Sequence, residues 1–172
     1  MATLNRPTDS VPQKAEPGGL AEIWLGDGDH DEDERPDSRA HNERAGRSVR
    51  HVLIVEDELF IAWHLEDVIK GMNHHVCGLT ARGEDAVARI RALDPDLVLM
   101  DVNLAGQIDG IEAAVRIQAT AAVPIIFITA YGDRDTLERI EKVAPGSVVL
   151  QKPITAEGLR RAVTAALPPR GN

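Results

Sequence analysis

The sequence lacks the features that mark secreted and membrane-spanning proteins. Its single cysteine, Cys77, excludes an internal disulfide, and such sparing cysteine use is typical of reducing compartments. No apolar run approaches the roughly 18 to 20 residues that span a bilayer. The first ten residues, MATLNRPTDS, contain no apolar stretch of the kind found in secretory signals. These absences predict a cytoplasmic protein that does not contact a membrane.

Positive charge and aromatic side chains are also scarce. The chain has 19 Lys and Arg against 28 Asp and Glu, for a net charge of −9. Because nucleic-acid binding depends on basic side chains that neutralise phosphates, a DNA or RNA partner is not expected. Aromatic residues make up 3% of the 172 residues and hydrophobic residues 43%. The core must therefore consist mainly of Val, Ile, Leu and Ala, and the length suits one domain with a tail.

Composition divides the chain into a tail (residues 1–49), a domain (50–168) and a short C-terminal tail (169–172). Residues 1–49 are rich in Pro, Gly, Asp and Glu, which predicts a disordered acidic segment. Their one apolar cluster, residues 20–25, leaves open a short helix that docks on a partner or on the domain. The alternating Asp27, Asp29 and Asp31 suggest calcium binding. The EF-hand pattern is broken, however, by Glu32 and Ser38 at its sixth and twelfth positions.

From residue 50 the chain repeats a strand-then-helix pattern five times. Apolar runs predict buried strands at residues 51–55, 76–79, 96–101, 124–128 and 147–150, and apolar residues at helical spacing follow each run. Crossovers of this length predict an α/β fold, in which a parallel sheet has helices on both faces and right-handed connections. Spacing does not reveal the strand order. The order 2-1-3-4-5, as in flavodoxin-like doubly wound sheets, is the common solution for five units.

The same spacing predicts which helix faces are buried. The third helix, which Asp109 is expected to cap, carries Ile111, Ala114, Val115 and Gln118 at this spacing. The fourth helix runs through Leu137 and Ile140 to Val143.

Polar residues are expected at the carboxyl ends of strands 1, 3, 4 and 5, namely Glu56, Asp57, Asp101, Thr129 and Lys152. The assumed strand order places a ligand-binding switch point between strands 1 and 3. Three carboxylates so close together would repel one another unless a cation lay among them, and oxygen ligands suit Mg²⁺. A lysine and a threonine hydroxyl can bind phosphoryl oxygens. An isolated acid at a strand end can merely cap a turn, but the set indicates phosphoryl transfer to a carboxylate.

Five short motifs occur in order at these positions: Val-Glu56-Asp57-Glu, Leu-Met-Asp101, Asp109-Gly110, Thr129-Ala130 and Lys152-Pro153. Through them, residues 51–167 resemble the CheY-like receiver domain of two-component response regulators. The resemblance implies that Asp101 accepts a phosphoryl group from a sensor histidine kinase or a phosphotransfer protein. It also implies that Glu56, Asp57, Asp101 and the backbone carbonyl of Asn103 bind Mg²⁺, and that Thr129 and Lys152 bind phosphoryl oxygens. In the family the peptide bond before the proline, here Pro153, is usually cis.

The sequence departs from the family pattern in the loop after Asp101 and in the fifth strand. The loop carries Ala105 where a proline is usual, and it is one residue longer than the commonest form. Val149 stands where most receivers have an aromatic residue that moves on activation. Tyr131, in Phe-Ile-Thr-Ala-Tyr-Gly, resembles the tyrosine of single-domain receivers with a Phe-Ala-Thr-Gly-Tyr-Gly motif. We expect Tyr131 to be the moving aromatic; the alternative is a tyrosine that packs on the fourth helix without switching.

Taken together, these observations predict a stand-alone response regulator, because no output domain is expected after residue 167. It would catalyse only its own phosphorylation and dephosphorylation, and would signal by binding a downstream protein or act as a phosphate sink. Two alternatives stay open: a receiver-like module that works without phosphorylation, and a phosphatase with an aspartyl nucleophile. Such phosphatases usually need a second Asp where Asn103 stands. A homodimer also stays open, and the kinase and partner are not identified.

Overall fold

A computed structural model describes residues 49–167 of the chain. Within them the order of elements is β1 (His51–Val55), α1 (Leu59–Gly71), β2 (His75–Thr80), α2 (Gly83–Leu93), β3 (Leu97–Asp101), α3 (Gly110–Gln118), β4 (Ile125–Thr129), α4 (Arg134–Val143), β5 (Val148–Gln151) and α5 (Ala156–Ala166). All five predicted strand-then-helix units are present. The predicted acidic tail, with its apolar cluster at 20–25, lies outside the described residues except for residue 49. The C-terminal residues 169–172 lie outside them as well.

The strands form one parallel sheet in the order β2-β1-β3-β4-β5, which confirms the predicted fold class and strand order. β1 and β3 are neighbours at the centre, and their register aligns Val55 with Met100. Glu56 and Asp101, each one residue further on, therefore leave the sheet side by side. The ends of β4 and β5 continue the same edge of the sheet, where open α/β sheets bind ligands.

Two apolar layers cover the faces of the sheet. Alternate residues of the central strands point into each layer, so both layers draw on β1, β3 and β4. The layer beneath α1 and α5 is formed by side chains such as Ile54, Leu65, Leu99, Ile128 and Leu159, and the layer beneath α2, α3 and α4 by Leu53, Ile90, Met100, Ile117 and Phe127. Because both faces are covered, the central strands are apolar throughout. None of the helices described within residues 49–167 is long and apolar enough to cross a membrane.

The residues at helical spacing on α3 are not all buried. Val115 is 47% exposed and Gln118 is exposed, whereas Ala113 and Ile117 are buried with Ile111 and Ala114. The buried face is centred on Gly110, Ala113, Ala114 and Ile117, so Ile111 lies at its edge and Val115, one turn further along that edge, faces solvent. On α4, Ile140 is buried, whereas Leu137 is 41% exposed.

The start of α3 lies unusually close to the end of β3. Asp109 caps the helix, as predicted, because its Oδ1 accepts a hydrogen bond from the Glu112 N–H at 2.8 Å. At the next residue, Gly110, a Cβ atom would lie 1.9 Å from the backbone oxygen of Asp101. A side chain there would force the helix away from the strand end that carries Asp101.

We therefore expect Gly110→Ala to lower the free energy of unfolding by about 3 kcal/mol, at the upper end of the cost of overpacking. Urea denaturation measures the change. Gly71→Ala is a matched control, since a Cβ atom at Gly71 would meet only an Arg160 side-chain atom, at an ordinary 3.8 Å. Equal midpoints for the two variants would contradict the prediction, because helix propensity alone favours Ala over Gly.

Candidate functional site

Three carboxylates meet at the carboxyl ends of the two central strands. Glu56 and Asp57 follow β1, and Asp101 is the last residue of β3. Glu56 and Asp101 are buried, with 0% and 1% of their surfaces exposed, and Asp57 is half-buried. One oxygen atom of each side chain lies within 4.8 Å of the others. The predicted juxtaposition of these acids is therefore present in the structure.

Lys152, directly after β5, places its ammonium group among the acids. Its Nζ donates hydrogen bonds to Asp101 Oδ2 at 2.9 Å, Glu58 Oε1 at 3.0 Å and Glu56 Oε1 at 3.1 Å. An ammonium group has three N–H donors, so all of them are used. The Glu58 side chain is 64% exposed, whereas those of Glu56 and Asp101 are almost fully buried. Glu58, to which the sequence analysis assigned no role, is thus the partner that water can most easily replace.

Electrostatics at the site favour a further positive charge. Burial and the neighbouring Asp101 charge raise the pKa of Glu56 to about 8, and Lys152 offsets only part of this effect. Burial alone would lower the pKa of Lys152, but its hydrogen bonds to Asp101, Glu58 and Glu56 outweigh that effect and raise the pKa. Among the described residues Glu56 Oε2 is buried without a hydrogen-bond partner. A hard cation with oxygen ligands, such as Mg²⁺, fits this donor set.

The loop between β3 and α3 covers the acids with backbone N–H groups. The Asn103 N–H donates to Asp101 Oδ1 at 3.1 Å, and the Ala105 N–H donates to Asp57 Oδ2 at 3.0 Å. These bonds stabilise the ionised carboxylates and fix their orientation. The loop therefore belongs to the site as much as the strand ends do.

The remaining predicted residues lie at the same edge of the sheet. Thr129 is 1% exposed, and its hydroxyl donates to the Tyr131 carbonyl at 2.9 Å and accepts from the Tyr131 N–H at 3.0 Å. The Tyr131 side chain is 67% exposed. The Lys152–Pro153 peptide bond is cis, as the resemblance implies. The structure thus bonds Lys152 to Glu56 and Asp101, with Asp57 close beside the two acids, whereas the Thr129 hydroxyl is bonded to its own loop.

Comparison with known proteins places this geometry in a family. Residues 52–164 match the model of the response regulator receiver domain. The transcriptional regulatory protein PdtaR of Mycobacterium tuberculosis is 35% identical over 118 residues, which cover 69% of this chain and 57% of PdtaR. The phyllosphere-induced regulator PhyR of Methylorubrum extorquens is 34% identical over 130 residues, which cover 74% of this chain and 47% of PhyR. The chain thus spans about half the length of these relatives.

Solved structures agree with the sequence comparison. The signal receiver domain of a modulated diguanylate cyclase from Desulfovibrio desulfuricans G20 superposes with a TM-score of 0.64 at 38% identity, covering 69% of this chain and 94% of that one. The REC domain of the PhyR response regulator from Erythrobacter litoralis gives a TM-score of 0.61 at 33% identity, covering 69% and 89%. With the acidic cluster and its lysine at the expected strand ends, the chain belongs to the response regulator receiver family of two-component signalling.

Proposed function

We propose that this protein accepts a phosphoryl group on Asp101 from a sensor histidine kinase or a phosphotransfer protein, in a Mg²⁺-dependent reaction. The observation that carries the proposal is the setting of the Asp101 carboxylate. It is buried, 2.9 Å from the Lys152 ammonium group, and beside a buried Glu56 oxygen that has no partner among the described residues. Such a carboxylate is placed to act as a nucleophile whose product has a cation ready to bind it.

In the proposed reaction, a carboxylate oxygen of Asp101 attacks the phosphorus atom of a phosphohistidine. An O–P bond forms, the P–N bond breaks, and the histidine leaves with the electron pair and takes a proton from solvent. The carboxylate needs no general base because it reacts in its ionised form. Lys152 then donates to a phosphoryl oxygen, giving up the exposed Glu58 contact, since its three donors are already in use.

Glu56, Asp57 and Asp101, with the backbone carbonyl of Asn103, are the residues proposed to hold Mg²⁺. When bound, the ion neutralises the acids and the charge on the phosphoryl oxygens. The oxygen-only donor set and the unpartnered Glu56 Oε2 support this assignment. Thr129 is proposed to bind a phosphoryl oxygen after its hydroxyl leaves the Tyr131 backbone.

The proposed output is binding to a downstream protein, with a phosphate-sink role as the alternative. The relatives PdtaR and PhyR are named as regulators, and a PhyR from Bartonella quintana is named an anti-anti-sigma factor. Protein-glutamate methylesterases also match, but over about 100 residues that form 28% of their length. For the described domain we propose no catalysis beyond its own phosphorylation and dephosphorylation. We further propose a cytoplasmic location and no nucleic-acid partner for the described domain, and leave a homodimer open.

Tyr131 is proposed to report phosphorylation of Asp101. Its backbone carbonyl accepts a hydrogen bond from the Thr129 hydroxyl, and this bond would break when the hydroxyl donates to a phosphoryl oxygen instead. Gly132, Leu137 and Val149 line a neighbouring cavity of about 520 Å³ between α4 and β5. Because Val149 is smaller than an aromatic residue, this cavity has room for the exposed tyrosine ring.

The proposed function is tested by incubating the full chain with Mg²⁺ and acetyl phosphate and measuring the intact mass. We expect one phosphoryl adduct, located on the peptide that contains Asp101 and absent when EDTA removes the metal. No adduct would favour a partner-binding module that works without phosphorylation. Steady release of phosphate over many turnovers would favour a phosphatase.

A further inference from the structure

The loop between β3 and α3 (residues 102–109) also rests on the first turn of α2. The Gln107 N–H donates a hydrogen bond to Glu84 Oε1 at 3.3 Å. At Gly106, a Cβ atom would lie 2.7 Å from Glu84 Oε2, so the loop backbone lies directly against this carboxylate. Glu84 thus contacts two consecutive residues of the loop.

The same loop contacts the proposed metal ligands through residues that immediately precede Gly106. Ala105, which precedes Gly106, donates its N–H to Asp57 Oδ2 at 3.0 Å, and Asn103 donates to Asp101 Oδ1 at 3.1 Å. Residues 103–107 therefore connect Glu84 to two of the three clustered acids through backbone contacts alone. A shift of the loop away from α2 would move the N–H groups and the Asn103 carbonyl relative to the acids.

Glu84 does more than place a negative charge at the N-terminus of α2. Its neighbour Asp85 supplies such a charge from an exposed position, whereas Glu84 Oε2 is buried without a hydrogen-bond partner among the described residues. Its own backbone N–H, at the start of α2, and the Gln107 N–H of the loop keep the pKa of Glu84 below its usual value, although partial desolvation of the carboxylate opposes them. The carboxylate is therefore ionised and accepts hydrogen bonds from the loop.

We infer that Glu84 is a positioning residue, which holds the β3–α3 loop in the conformation that the proposed phosphorylation site requires. The inference rests on the proposed function. It also gives a physical reason for the unusual loop sequence. A proline would fix the backbone φ angle at position 105, but Ala105 leaves that angle free in a loop that is longer than usual. The contact from α2 supplies the constraint that the proline would otherwise provide.

The test compares Glu84→Ala with Asp85→Ala in the full chain, using calorimetric titration with Mg²⁺. Both variants remove one acid from the first turn of α2, so general electrostatic effects on the cation are matched. We expect Glu84→Ala to weaken Mg²⁺ binding about 10-fold, at the low end for groups that orient metal ligands, and Asp85→Ala by less than about twofold. Glu84→Gln keeps an acceptor oxygen and should retain most of the affinity.

Amide hydrogen exchange gives a readout that needs no metal. The Ala105 and Gln107 amides should exchange several-fold faster in Glu84→Ala than in Asp85→Ala, at equal thermal stability. If the wild type binds Mg²⁺ and Glu84→Ala binds it as tightly as Asp85→Ala does, the positioning role of Glu84 is overturned and the proposed function is not. Failure of the wild type to bind Mg²⁺ would overturn the proposed function, and the positioning role with it.

Discussion

Asp101→Asn is expected to abolish formation of the phosphoryl adduct with acetyl phosphate and Mg²⁺. The asparagine amide keeps the shape of the side chain but has no anionic oxygen to attack phosphorus. The loss would not result from unfolding, because the Asp101 charge adds to burial in raising the pKa of Glu56, and its removal relieves this unfavourable interaction in the folded protein. Intact mass spectrometry measures the adduct, and urea denaturation checks that the variant is folded.

Asp67→Asn is the matched control for this experiment. Asp67 is exposed on α1, so its substitution changes the net charge equally without touching the acidic cluster. We expect this control to form the adduct at the wild-type level. A folded Asp101→Asn chain that still takes up one phosphoryl group would place the nucleophile elsewhere, with the neighbouring Asp57 as the next carboxylate to test.

The strands were predictable because their apolar runs are continuous and end abruptly. Residues 97–100 are fully apolar and buried, and the chain turns polar at Asp101. In a parallel sheet covered on both faces, a change from apolar to charged residues marks the end of a strand. The strand order could not be predicted in the same way, since the spacing of the strands along the chain does not determine it. It came from the common solution for five units, and the structure confirms it.

The contacts that the sequence did not reveal depend on tertiary structure. Glu58 reaches Lys152 across 94 residues, and the loop at Gln107 reaches Glu84 across 23, so no local pattern marks either contact. The spacing of apolar residues on α3 also does not show that Val115 is exposed, because Val115 is four residues from the buried Ile111 and only the packing of the helix on the sheet decides between them. Acidic residues near a strand end or a helix start therefore show that a charged site exists, but not which charges touch.

The acids around Lys152 outnumber it, which makes this lysine central to the stability of the site. Glu56 and Asp101 are buried and each bonds to its ammonium group, while Asp57 lies close enough to share a metal with them. A buried pair contributes little net stability when complete, but removal of one partner leaves an uncompensated charge in a medium that solvates it poorly.

Lys152→Met is accordingly expected to lower the free energy of unfolding by about 4 kcal/mol at pH 7 in the absence of divalent cations, within the range for broken buried pairs. Methionine preserves most of the packing of the lysine stem, so the change isolates the ammonium group. Lys142→Met is the control, since Lys142 is exposed in the last turn of α4. The control should change stability by less than about 1 kcal/mol, the usual limit for exposed charges.

Mg²⁺ distinguishes a charge effect from a packing effect in the Lys152→Met chain. If the ion binds among Glu56, Asp57 and Asp101, it neutralises the same carboxylates that the lysine left unpaired. A cation at 100 times its dissociation constant stabilises a folded protein by about 2.7 kcal/mol. The stabilisation by Mg²⁺ should be larger in Lys152→Met than in the wild type, because the acids of the variant lack the positive charge of the lysine. Denaturation midpoints with and without Mg²⁺ measure this stabilisation. Equal stability of the Lys152 and Lys142 variants without metal, or a Mg²⁺ effect no larger in Lys152→Met than in the wild type, would contradict the view that lysine and metal share the neutralisation of one acidic cluster.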